Sequence, residues 1–88
     1  MNIKFDIGER RHVRLKIHSI KKELFEISGS SWALMKEGKV ESQGICTLFD
    51  KNIMDALIQP QDTGKYILQF KYEIADEILI ENVGVMVS

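Results

Sequence analysis

Few side chains in this 88-residue sequence can do chemistry, and their spacing works against most of it. His12 and His18 are the two histidines. Six residues apart in an alternating segment, they share a face but stand ~20 Å apart at ~3.3 Å per residue, too far to hold one metal ion. No CxxC pair, HExxH motif or acidic calcium loop accompanies them. Gly8, Gly29, Gly38, Gly44, Gly64 and Gly84 stand singly, so no glycine-rich loop is available to cradle a phosphate. Ser28-Gly29-Ser30-Ser31 lacks the strand-to-helix elbow and downstream histidine of a hydrolase. Cys46 is the single cysteine and cannot close an internal disulfide. Within Gly44-Ile45-Cys46-Thr47-Leu48 it has no base or cation to activate it, and reads as a small buried hydrophobe. Asp76-Glu77 reads as a solvated turn. The expectation is a protein that is not an enzyme, with no cofactor, metal or small-molecule substrate.

Charge offers the one binding chemistry worth weighing. Residues 1–22 carry seven basic groups against Asp6 and Glu9, a net of +5; the remainder carries five basic against eleven acidic, a net of −6. In the segment 12–18, His12, Arg14, Lys16 and His18 form one outward stripe flanked by Arg10, Arg11, Lys21 and Lys22. Arg11, Arg14, Lys16 and Lys21 are therefore the candidate anion-binding residues. Such a stripe could track nucleic-acid phosphates with an affinity that falls steeply in salt. Residues 11–23 contain no Phe, Tyr or Trp on which bases could stack, so a solvated strand face is the simpler reading. The same asymmetry could drive association of copies or docking on a protein partner.

The elements that would position these residues are strands. Val13, Leu15 and Ile17 alternate with polar neighbours, as do Tyr66, Leu68, Phe70 and Tyr72. A final run, 77–87, changes phase near Asn82–Gly84, which suggests a bulge or a bend. Glu37-Gly38 reads as a hairpin turn, and Asp50–Asn52 and Ala75–Glu77 as tight connections. The pattern predicts strands near 2–7, 11–20, 31–36, 40–48, 53–58, 65–74 and 77–87, with one possible helical turn at 22–25. Gln59–Gly64, holding the single proline Pro60, is the strongest loop. Seven short strands in 88 residues predict one domain over 1–88, an all-β antiparallel sandwich. No apolar run approaches the ~18 residues that cross a bilayer. The N-terminus lacks a leader-like stretch, so the expected location is cytoplasmic.

Two local features narrow the sandwich. Asp62-Thr63-Gly64-Lys65-Tyr66 has the form D-x-G-x-Y and opens the second-last strand, and Trp32 opens a strand in the first half. Together they resemble the tyrosine corner and core tryptophan of immunoglobulin-like domains. The resemblance implies structural roles for Trp32, Asp62, Gly64 and Tyr66, with the Tyr66 hydroxyl pinning the backbone just upstream. Leu68 stands where antibody domains carry a disulfide cysteine, and the region around Ile17 has none either. The likeness is thus to cysteine-free immunoglobulin-like modules. The cadence from Trp32-Ala33-Leu34 through Gly38, Val40–Gly44, Asn52-Ile53 and Gly64–Phe70 to Glu77–Ile80 is similar to that of small immunoglobulin-like proteins of bacteriophages and prophages. That implies a structural or accessory role in virion assembly, through protein partners or self-association, and incorporation into a virion.

Overall fold

Alternating apolar residues on a pleated chain put one face in a core and the other in water. A computed structural model describes residues 1–17 and 26–88 and holds eight strands: β1 (Asn2–Phe5), β2 (Arg11–Lys16), β3 (Ile27–Lys36), β4 (Lys39–Ile45), β5 (Thr47–Phe49), β6 (Ile53–Ile58), β7 (Gly64–Ile74) and β8 (Glu77–Val87). No helix occurs among the described residues. Five strands form one sheet in the order β1-β8-β7-β3-β4, and three form a second in the order β2-β6-β5. All pairings are antiparallel except that of β1 with β8.

The core lies between the sheets. Tyr66, Leu68, Phe70 and Tyr72 of β7, Val83, Val85 and Val87 of β8, Leu34 of β3 and Phe5 of β1 come from the larger sheet. Val13 of β2 and Met54, Ala56 and Ile58 of β6 come from the smaller one. Cys46 is buried at the single-residue crossover from β4 to β5, where its amide donates to the Ser30 carbonyl at 3.2 Å. Burial pushes its thiol above the usual titration range, which keeps it protonated and unreactive.

Four expectations change. The predicted strand 40–48 is two strands in different sheets, which makes eight rather than seven. β3 starts at Ile27 rather than 31, because backbone pairing with β7 holds Gly29 and Ser30 extended despite their loop-like composition. β2 ends at Lys16, and Ile17 follows it outside the strand; residues 18–20 of that predicted strand, with His18, and the helical turn at 22–25 and Lys21 lie outside the described residues. Finally, β7 and β8 pair without a bulge from Gly64↔Val87 to Ile74↔Glu77. The change of phase in 77–87 has another cause. Val83, Val85 and Val87 face the core, whereas Ile78 and Ile80 lie on the opposite face, 61 % and 56 % exposed.

Bulges occur elsewhere. Leu34 pairs with Ser42 and Met35 with Val40, which leaves Glu41 as the extra residue of β4. The hairpin joining β3 to β4 turns on Glu37 (φ 52°) and Gly38 (φ 77°), two left-handed residues that suit the strand twist.

Candidate functional site

Three places gather polar or exposed apolar side chains. The first is the end of the sandwich where the 59–64 loop meets β7. Gly64 enters the strand at φ 113°, a conformation L side chains avoid, and this turn brings Tyr66 beneath the loop. Tyr66 is 1 % exposed; its hydroxyl accepts the Asp62 amide at 3.1 Å and donates to Glu41 Oε1 at 2.6 Å. The bulge at Glu41 lets that carboxylate reach, and its Oε2 also accepts the Gln61 amide at 3.3 Å. Burial first, then the Glu41 carboxylate, pushes the Tyr66 phenol up to about 12. Lys36 Nζ donates to Asp62 Oδ2 at 2.8 Å and to the Thr63 carbonyl at 2.6 Å, and lies 5.6 Å from the Tyr66 ring centroid. The Lys36 ammonium, with help from the Thr63 amide, holds the Asp62 carboxyl below its ordinary range. These contacts fasten the loop to β3, β4 and β7 and those strands to one another, so the cluster is a clasp.

Trp32 lies apart from that clasp, half-buried on the inward face of β3 opposite Phe70 of β7 and Gly44 of β4. Gly44 makes room for it: a Cβ there would lie 3.0 Å from the indole nitrogen.

The second place is the outer face of the smaller sheet. Asp55 of β6 is 5 % exposed and sits between two residues of β2. Its Oδ2 is 2.7 Å from His12 Nδ1 and its Oδ1 accepts Arg14 Nε at 3.0 Å. The Arg14 guanidinium also lies 4.8 Å from the Phe49 ring centroid on β5. The four anion-binding candidates are thus not brought together. Arg14 is committed to Asp55, and Lys16 is exposed on the same face. Arg11 points to the other side by strand alternation, where it covers the Phe5 ring at 4.1 Å, contacts Glu9 Oε2 at 3.4 Å and donates to the Lys4 carbonyl. Lys21 lies outside the described residues. Sequence reasoning missed Asp55; its signal was a lone charge in the otherwise apolar Ile53-Met54-Asp55-Ala56-Leu57-Ile58.

The third place is the outer face of the larger sheet. Down β7 and β8 the outward residues pair as Lys65–Met86, Ile67–Gly84, Gln69–Asn82, Lys71–Ile80 and Glu73–Ile78. Ile67 and Met86 are 42 % and 39 % exposed, which with Ile78 and Ile80 makes an apolar strip rimmed by charge. A hollow of about 510 Å³ lies beside Gly84, which the Asn2 side chain covers, with Lys4, Lys65, Ile67 and Met86 among its other walls.

Among the described residues no group of three or more metal-ligating side chains converges, and no helix is long and apolar enough to cross a membrane. No family model and no curated protein matches the sequence. Among solved structures, the crystal structure of an engineered protein aligns over 99 % of this chain with a TM-score of 0.79 and 11 % identity. This chain spans 18 % of that protein's length, and at such identity the likeness establishes the fold alone: an all-β architecture of two sheets.

Proposed function

We propose that this chain is a non-enzymatic protein-interaction module on an immunoglobulin-like sandwich. Strand order supports that architecture: β2-β6-β5 opposes a sheet with β8-β7-β3 at its centre, as the BED and GFC strands oppose each other in immunoglobulin domains. The Tyr66–Asp62 bond and the inward Trp32 on β3 favour it too. The observation that carries the interaction reading is the strip of Ile67, Ile78, Ile80 and Met86 in solvent on one sheet face. Exposed apolar side chains on both sides of a central polar pair, Gln69 and Asn82, mark a surface that another molecule covers. The cadence shared with phage and prophage proteins makes that molecule a virion component or another copy of the chain, met first in the cytoplasm. Nucleic-acid binding is the weaker reading, because the Asp55 carboxylate already neutralises the centre of the basic strand.

A photo-crosslinking residue placed at position 80, and in a second protein at position 12, tests this in the cell that makes the chain. Position 80 should yield covalent adducts with protein and position 12 should yield none. Nucleic-acid adducts from position 12, or no adducts from position 80, would overturn the proposal.

A further inference from the structure

We infer that the apolar strip is the self-complementary interface of a two-fold dimer, in which two copies stack the outer faces of their larger sheets with β7 and β8 antiparallel to their counterparts. This rests on the interaction reading and names its partner. The order of residues along the face carries the inference. The two-residue steps down β7 and β8 centre on Gln69–Asn82, where the Gln69 amide donates to Asn82 Oδ1 at 3.2 Å. A two-fold axis over that pair, perpendicular to the strands, sends each position to its mirror along the ladder. Lys65 then faces Glu73 of the other copy, Met86 faces Ile78, and Ile80 faces Gly84 and the Asn2 side chain that covers it.

Each match is physical. Lys65 and Glu73 are both exposed and of opposite charge, and symmetry makes the pair occur twice. Ser28 Oγ donates to Glu73 Oε1 at 3.3 Å, steadying the carboxylate. Ile80 is a projecting branched side chain, and it meets the rim of the hollow where the Asn2 side chain of β1 lies over Gly84. Ile67 faces Lys71, whose methylene stem can lie over it while the ammonium reaches the rim. Ala33 of β3 pairs with Gln69, so the middle of the face is low enough for two sheets to approach the usual ~10 Å. Stacking with the strands parallel instead would set Lys65 against Met86 and Glu73 against Ile78, leaving both charges over apolar side chains. The charges therefore select the antiparallel arrangement, and the result closes on itself, as the commonest homo-oligomers do.

Sedimentation of the purified full chain over a range of concentration tests the dimer. The wild type should show a monomer–dimer equilibrium. Lys65→Glu and Glu73→Lys, each alone, set like charges together twice and should weaken it about tenfold or more. Mixed in equal amounts the two variants should pair with one another at near wild-type strength, because each then presents the charge the other lacks. A second measurement fixes the register: a nitroxide on an Ile80→Cys, Cys46→Ser chain should broaden the Gly84 amide of an isotopically labelled wild-type copy. A monomeric wild type, single variants that dimerise normally, a mixture no stronger than its components, or broadening centred elsewhere would each overturn the dimer. Position-80 adducts with a different protein, found alongside a monomeric wild type, would leave the interaction reading standing and remove only this inference.

Discussion

Tyr66 joins two strands and a loop through one oxygen, accepting from Asp62 and donating to Glu41. Removing that oxygen in Tyr66→Phe should cost about 1.5–3 kcal/mol near neutral pH, because the fold loses its bonds to both the Asp62 amide and the Glu41 carboxylate. Alkali supplies the sharper test. The folded state holds the phenol up to about 12, above its ordinary 10, so folding favours the protonated form. Its contribution is complete below pH ~10 and is lost as pH rises towards ~12. Urea midpoints should therefore fall more steeply through that window in the wild type than in Tyr66→Phe, and parallel curves would refute the assignment. Tyr72, also pushed up by burial, titrates in the same direction in both proteins and drops out of the comparison. The contact between Tyr66 and Asp62 spans four residues, a range that a short motif can carry. Asp55 finds His12 and Arg14 more than forty residues away, and no local spacing announces such a partner.

At the level of strands, alternation located β2, β7 and most of β8, since each has one dry and one wet face, whereas β6 carries apolar residues on both faces and shows no such alternation. It failed where a strand's composition does not show its pairing. Gly29 and Ser30 are poor strand formers, yet the neighbouring β7 holds them in the ladder. Cys46 breaks 40–48 with no glycine or proline at the break itself, because the chain leaves one sheet for the other through a single buried residue. Gly44 offers a test of the β3–β4 fit. A Cβ at that position would lie 3.1 Å from two carbons of the Trp32 ring, and valine adds further bulk. Gly44→Val should push the indole outward at a cost of about 1–3 kcal/mol. It should also shift the tryptophan fluorescence to the red. Wild-type emission and stability would show that the ring yields freely.

For the molecule as a whole, stability depends on an element of only four residues. β1 covers one edge of the larger sheet and supplies Phe5, 1 % exposed, to the core. A domain of this size has a total stability of roughly 4–13 kcal/mol, and deleting a buried phenylalanine side chain takes about 3–5 of that. A chain without residues 1–6 should therefore unfold at much lower urea and aggregate as the edge of β8 opens. Retention of the full midpoint would show that β8 needs no cover. Two sheets and a buried core follow from periodicity alone. The apolar strip announced itself only as a change of phase in 77–87, because a sequence does not say whether an outward isoleucine is packed or bare.

The parallel pairing of Asn2–Phe5 with Gly84–Val87 has a mechanical consequence. Tension applied through the two ends of the chain would drag β1 and β8 past each other along their length. Their hydrogen bonds would then bear the load together in shear, whereas the antiparallel β7–β8 hairpin, peeled from its open end, would unzip rung by rung.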